Sequence, residues 1–134
     1  MEEKILKVLN YQISIPTIYK FFVRYLNAGH ADKKLIFLSS YILEESLLSY
    51  DMIKYKPSQL AAAAVLIARN TVDCNNWSPN LLKYSLYREE DVIPVARDMI
   101  AVKNALPSGL VSLKNKYSRS SKFDAANITL PSEI

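Results

Sequence analysis

Apolar residues recur at helical spacing along most of this chain, and no stretch of useful length alternates as a β-strand would. The longest apolar stretch runs from Leu60 to Ala68 without a polar residue. Because Pro57 can occupy the first position of a helix, the pattern predicts a helix from Pro57 to about Val72. A helix that is apolar on every side belongs at the centre of a helical domain, where its alanines let neighbouring helices approach closely.

Shorter apolar patterns on either side of this segment predict further helices. Asp32 and Ser78 are suited to cap two of them, and Pro79 can occupy the first helical position after Ser78. Gly29 is suited to a left-handed residue at the end of an earlier helix. The predicted helices cover residues 1–9, 17–28, 33–49, 57–72, 79–84, 89–106 and 110–117. The sequence therefore predicts an all-α domain with five or six helices around the central apolar one.

The three longest flanking helices each have a face that we expect to be buried. These faces consist of Ile18, Phe21, Phe22, Tyr25 and Leu26; of Leu35, Leu38, Ile42, Leu43 and Leu47; and of Val92, Val95, Ala96, Met99, Val102 and Leu106. Trp77 is expected to anchor a loop by packing on the domain. Residues 118–134 are expected to form a polar tail.

Composition agrees with one helical domain. The 134 residues are 50% hydrophobic, and 2 glycines and 6 prolines are too few for a turn-rich β protein. The formal net charge of +4 permits an acidic partner but does not require nucleic acid. Cys74, the single cysteine, cannot form an internal disulfide bond. No apolar stretch approaches the ~18 residues of a membrane span, so we expect no membrane segment.

Few residues have the chemistry that catalysis requires. His30 is the only histidine, which excludes a metal site built from several histidines. It follows Gly29 in a polar segment, where we interpret it as a solvated loop residue and not as a general base. The sequence has no glycine-rich phosphate loop. We therefore expect no catalytic residue, metal ion or cofactor, and a function other than catalysis.

Basic residues cluster late in the chain, at Lys114, Lys116, Arg119 and Lys122. Aromatic residues lie among them, and such a cluster is compatible with nucleic-acid binding. Because the net charge is modest, we interpret the cluster as the solvated face of the last helix and the tail.

Six short segments match one known family in order along the chain. They are residues 1–11, 41–47, 50–62, 77–82, 113–118 and 128–131. The residues that represent the match best are Glu44, Tyr50, Asp51, Pro57, Ser58, Ala61, Ala62, Trp77, Pro79, Lys114 and Tyr117. Together the segments resemble the C-terminal half of B-type mitotic cyclins, and the match covers nearly the whole chain. Glu45 departs from the pattern, because the family usually has leucine at that position.

The resemblance implies a regulatory subunit that activates a cyclin-dependent protein kinase in cell-cycle control, located in the nucleus and cytoplasm. Cyclins of this family have two helical boxes, and the first box makes most of the kinase contact. Residues 1–10 resemble the end of the last helix of the first box with the linker after it, residues 11–117 the second box, and residues 118–134 the C-terminal tail. The chain is therefore expected to be a piece of a longer cyclin and a non-catalytic interaction module.

The resemblance also predicts where partners bind. Glu2 matches a first-box glutamate next to the kinase and is the candidate kinase-interface residue, with an exposed glutamate on a frayed helix as the alternative. We expect apolar surface near residues 1–11 to be exposed when the first box is absent, which would allow copies of the chain to associate.

A different class of function remains as the alternative. Cyclin boxes also occur in general transcription factors that bind promoter DNA, and the basic cluster from Lys114 to Lys122 is compatible with that role. The segments around Tyr50 and Tyr117 favour the mitotic cyclins.

Overall fold

The computed structural model describes residues 1–72, 77–105 and 111–131. Within these ranges the regular structure consists of α-helices and short 3-10 helices, without a β-strand, which confirms the all-α prediction. The α-helices are α1 (Glu2–Val8), α2 (Ile18–Ala28), α3 (Lys33–Ser46), α4 (Pro57–Thr71), α5 (Pro79–Ser85), α6 (Glu89–Ala105) and α7 (Val111–Tyr117). The 3-10 helices are Tyr50–Lys54, Ser120–Lys122 and Ala125–Asn127. Cys74 and Leu106, both considered above, lie outside the described residues.

Helix α4 is the centre of the domain, as the apolar pattern predicts. Every residue from Leu60 to Ala68 is buried, and Ala61 and Ala62 are fully buried. Helices α2, α3 and α6 pack around it, and the small alanine side chains permit their close approach. Pro57 occupies the first helical position, and the Lys56 N–H donates to Gln59 Oε1 at 3.0 Å. This bond satisfies a backbone donor just before the helix.

Two other helices begin as their capping residues predict. Asp32 Oδ1 accepts a hydrogen bond from the Leu35 N–H at 2.8 Å and caps α3. Ser78 Oγ accepts from the Leu81 N–H at 3.2 Å, and Pro79 follows as the first residue of α5. The polar side chains thus fix where these two helices start.

The end of α2 differs from the prediction. Gly29 has φ −85°, whereas His30 has φ 49° and is the left-handed residue. The Ala31 N–H donates to Leu26 O and the His30 N–H to Asn27 O, which is the bonding pattern of a Schellman motif. A Cβ atom at Gly29 would lie 3.3 Å from Tyr25 O, which is a tight contact. The left-handed assignment to Gly29 is therefore wrong by one residue.

The predicted buried faces are largely correct. The buried side chains of these faces are Phe22, Tyr25 and Leu26 of α2, Leu35, Leu38, Ile42 and Leu43 of α3, and Val92, Val95, Ala96 and Met99 of α6. Three more, Ile18, Phe21 and Val102, are partly buried. Leu47 is the exception, because α3 ends at Ser46 and not near Ser49, and Leu47 is 56% exposed. His30 is exposed, as expected for a solvated loop residue.

The residues after Tyr117 pack on the domain as far as Pro131. Ala125 is fully buried, and its 3-10 helix, Ala125–Asn127, contacts α3. The Phe123 ring lies 6.1 Å from the Phe37 ring, between centroids. The described part of this segment is therefore part of the domain and not the polar tail that was predicted.

Candidate interaction surface

Seven apolar side chains at the start of the chain are exposed together. None of the residues of α1 is buried, and Val8 and Ile15 are 82% and 73% exposed. We call these side chains the N-terminal apolar segment: Met1, Ile5, Val8, Leu9, Tyr11, Ile13 and Ile15. Glu2 lies exposed on the same helix. A run of this size exceeds the scattered apolar residues of an ordinary surface, so it indicates an interaction site, as the sequence predicts.

An apolar groove of about 510 Å³ lies where the end of α3 meets the starts of α2 and α4. The side chains that line it include Ile18, Leu47, Leu48, Tyr50, Met52, Ile53, Pro57 and Leu60. Tyr50 is 85% exposed at its edge, and the neighbouring Asp51 is also exposed. The groove offers apolar contact area and little polar chemistry, which suits it to bind another protein segment.

The turn that borders this groove is tied to α6. Asp98 on α6 accepts hydrogen bonds from Lys54 Nζ at 2.7 Å and from Tyr55 Oη at 2.6 Å. These two donors hold the pKa of Asp98 below its usual range. The contact links the end of the 3-10 helix Tyr50–Lys54 to α6. Sequence reasoning missed Asp98, because its partners lie more than forty residues earlier in the chain.

A second contact joins two of the residues that represent the resemblance. Ser58 Oγ and Tyr87 Oη are 2.8 Å apart, and the Trp77 indole N–H donates to Tyr87 O at 2.9 Å. Tyr87 thus links the start of α4 to the segment before α5. Trp77 packs on the core, which confirms it as a loop anchor. Tyr87 was not predicted, since no local pattern in the sequence distinguishes it.

A third contact, which we call the Glu44 clamp, connects α3 to α7. The Glu44 carboxylate accepts from Lys116 Nζ at 2.6 Å and from Tyr117 Oη at 2.8 Å. Tyr117 is buried, its ring lies 5.5 Å from the Tyr41 ring, and burial raises its pKa. Lys114 of the same segment is exposed. The structure therefore brings Glu44 and Tyr117 together and leaves Lys114 at the surface.

The basic cluster is partly engaged in these contacts. Lys116 pairs with Glu44, and Lys122 Nζ lies 4.7 Å from the centroid of the Tyr117 ring. Both cations therefore contribute to the packing of α7. Lys114, Lys116 and Arg119 are exposed, which agrees with the interpretation of the cluster as a solvated face, and Lys122 is partly buried.

Glu45, which departs from the family pattern, lies in a half-buried position. Its Oε1 accepts from Tyr41 Oη at 2.9 Å, whereas its buried Oε2 has no hydrogen-bond partner among the described residues. Burial raises the pKa of Glu45 and lowers that of nearby Lys103. A leucine would fill this position without an unsatisfied oxygen.

Other kinds of site find no support in the described residues. Over residues 1–72, 77–105 and 111–131, no three potential ligands among His, Cys, Asp and Glu come together as a metal site would require. None of the described helices combines the length and apolar character needed to cross a bilayer. The described chemistry is that of binding surfaces supported by hydrogen-bonded clamps.

Comparison with known proteins agrees with this picture. The family model described as "Cyclin, C-terminal domain" matches residues 16–132. The chain is 40% identical over 133 residues to Cyclin-B2-1 of Oryza sativa subsp. japonica, covering 98% of this chain and 31% of that protein. It is 34% identical over 132 residues to G2/mitotic-specific cyclin-B1 of Xenopus laevis, covering 96% of this chain and 33% of the relative.

A third relative is similar to the same extent. G2/mitotic-specific cyclin-B2 of Anguilla japonica is 36% identical over 124 residues, covering 90% of this chain and 31% of the relative. The chain thus spans about a third of the length of the curated relatives it matches. The resemblance to B-type mitotic cyclins is confirmed, and the chain belongs to the family of cyclin C-terminal domains.

Proposed function

We propose that this chain is the second box of a B-type mitotic cyclin, part of a regulatory subunit that activates a cyclin-dependent protein kinase in cell-cycle control. The family match and the relatives named as mitotic cyclins support this proposal. In this role the chain is not an enzyme, and the whole cyclin works in the nucleus and cytoplasm. The observation that carries the proposal is the exposed N-terminal apolar segment beside a buried core.

Among the described residues, the core is centred on α4, where every side chain from Leu60 to Ala68 is buried. Helix α4 is enclosed by its neighbours, and the Glu44 clamp attaches α7 to α3. The N-terminal apolar segment and the apolar groove are left outside this core. Fully burying one large apolar side chain is worth about 1.5–3 kcal/mol, so a partner that covers several of them gains substantial binding energy. The first cyclin box is the partner that we propose.

The kinase itself is contacted mainly through that first box. Glu2, on α1, is the one residue of this chain that we propose at the kinase interface. Because it is exposed, it is accessible to a partner. The promoter-DNA alternative is not carried further, since Lys116 and Lys122 are used within the domain.

The test is calorimetric titration of this chain with the first box of a B-type cyclin. The double variant Ile13→Glu/Ile15→Glu places two charges in the N-terminal apolar segment. Its matched control, Gln12→Glu/Ser14→Glu, adds the same charge at the alternate exposed positions. We expect the wild-type chain and the control to bind. The Ile13→Glu/Ile15→Glu variant should bind with an affinity at least about tenfold lower. Equal affinities for all three proteins, or no binding by the wild type, would reject the proposed interface.

The same surface predicts self-association of the isolated chain. Sedimentation velocity should show dimers or larger species whose population rises with concentration, because copies cover each other's apolar side chains. The Ile13→Glu/Ile15→Glu variant should sediment as a monomer, whereas Gln12→Glu/Ser14→Glu should behave as the wild type. A monomeric wild type at high concentration would contradict this prediction.

A further inference from the structure

A groove with a different character lies on another side of the domain, between α2 and α5. It has a volume of about 560 Å³ and is lined on the α2 side by Lys20, Arg24 and Asn27, with His30 just beyond the helix end. Asn80 and Tyr84 line it from α5. Neither helix contains an aspartate or a glutamate. We call this feature the basic groove.

The cations of the basic groove have no carboxylate partner within the described part of the chain. Lys20 and Arg24 form no ion pair there, and the nearest acid in sequence, Asp32, is engaged as the cap of α3. The Arg24 guanidinium lies 5.5 Å from the centroid of the Tyr84 ring, so Arg24 is held across the groove by a cation–π contact. Positive charge along one cleft concentrates its potential and attracts an acidic partner.

We propose that the basic groove binds an extended, acidic segment of a partner protein. Lys20 and Arg24 lie one helical turn apart, about 6 Å along the axis of α2. Alternate residues of an extended chain are about 6.6 Å apart and point the same way, so carboxylates at every second residue match this spacing. Asn27 and Asn80 supply amide groups for the peptide backbone in the same cleft. Such an occupant uses the length of the groove, which a single phosphate group does not.

Nucleic acid is the competing occupant, and the charge of the chain favours the peptide. The net charge of +4 is modest, and the exposed aromatic ring in the groove, Tyr84, already packs against Arg24. Base stacking would have to displace that contact. The basic groove is separate from the N-terminal apolar segment, so this inference does not depend on the proposed kinase-regulatory function.

The test is fluorescence anisotropy with a short labelled peptide in which glutamate alternates with serine. A glutamine-for-glutamate peptide and a labelled DNA oligonucleotide serve as the other probes. The chain is tested as wild type, as Lys20→Glu/Arg24→Glu and as the neutralised Lys20→Gln/Arg24→Gln. Lys114→Glu/Arg119→Glu is the matched control, because it makes the same charge change at exposed residues elsewhere.

We expect the glutamate peptide to bind the wild type at low salt, and both groove variants to bind it about tenfold more weakly or worse. The control variant should stay within about twofold of the wild type. The proposal would be overturned if the control variant bound the glutamate peptide as weakly as the groove variants, or if the wild type bound the glutamine peptide as well as the glutamate peptide. Failure of the wild type to bind the glutamate peptide at low salt would also overturn it. Tighter binding of the oligonucleotide, lost in the groove variants, would assign the groove to nucleic acid instead. Circular dichroism confirms that each variant is folded.

Discussion

The Glu44 clamp makes a quantitative prediction about stability. Glu44→Ala removes the acceptor of the buried Tyr117 hydroxyl and the partner of Lys116. A hydrogen bond to a charged group contributes about 1.5–3 kcal/mol, and an exposed ion pair about 0–1 kcal/mol. Since the Lys116 and Glu44 side chains are 45% and 35% exposed, the ion pair adds little. Glu44→Ala should therefore lower the free energy of unfolding by about 2–3 kcal/mol.

Three companion variants separate the two parts of this clamp. Glu44→Gln keeps an acceptor for Tyr117 and should lower the free energy of unfolding by about 1 kcal/mol. Lys116→Ala should lower it by no more than about 1 kcal/mol. Tyr117→Phe removes the hydroxyl donor and keeps the ring packed against Tyr41. The double mutant Glu44→Ala/Tyr117→Phe closes a thermodynamic cycle, for which we expect a coupling energy of about 1–2 kcal/mol.

Urea unfolding followed by far-UV circular dichroism measures all of these free energies by linear extrapolation. The sedimentation behaviour of each variant is compared with the wild type, since association would raise the apparent stability. We expect Glu44→Ala to lower the free energy of unfolding more than Lys116→Ala does. An equal or smaller loss, or a cycle without coupling, would contradict this prediction. Either result would mean that apolar packing alone attaches α7 to α3.

Other side chains give smaller but equally direct predictions. Glu45→Leu removes a buried oxygen that has no hydrogen-bond partner, and with it the bond from Tyr41 and the charge beside Lys103. The net free energy of unfolding should rise by up to about 1 kcal/mol, and a lower value in urea unfolding would contradict this. Burial raises the pKa of Glu45, so its carboxyl group stabilises the fold at pH values below its ordinary pKa and loses this effect as pH rises through its folded-state pKa. Glu45→Leu should lack this pH dependence of the free energy of unfolding. His30→Gly should stabilise the fold by about 0.5–1 kcal/mol in thermal melts, because glycine adopts the positive φ of this position without steric strain. Gly29→Ala should give no such gain, since Gly29 has a negative φ. Asp98→Asn should speed hydrogen exchange in the Tyr50–Lys54 turn, and unchanged exchange would exclude an anchoring role. In the wild type, the stability that Asp98 contributes should be lost as pH falls through its lowered pKa.

Local chemistry accounts for what could be predicted from the sequence. The position of α4 follows from Pro57 and an unbroken apolar run, and the starts of α3 and α5 follow from Asp32 and Ser78, whose side chains bond backbone three residues on. These features depend on neighbours within one helical turn. The left-handed residue after α2 was predicted one residue early, because glycine is the usual left-handed residue at a helix end, whereas here His30 has the positive φ.

The contacts that build the site depend on residues distant in sequence. Glu44 and Tyr117 are 73 residues apart, and Lys54 and Asp98 are 44 apart, so no periodicity could pair them. Glu44 and Tyr117 were found separately, through the resemblance to the family, and only the fold explains why both belong to the pattern. The burial of Ala125 was missed because its surroundings are polar and short 3-10 helices have no apolar repeat.

The most direct test of the proposed role is phosphorylation of a histone-type substrate by a cyclin-dependent kinase, with this chain and the first box of a B-type cyclin supplied together or separately. We expect little kinase binding and no activation by this chain alone. Adding it to the first box should raise the activity, and the Ile13→Glu/Ile15→Glu variant should not. Activation by this chain alone would contradict the assignment of kinase contact to the first box. A first box that is equally active with and without the chain would contradict the proposed role of the chain.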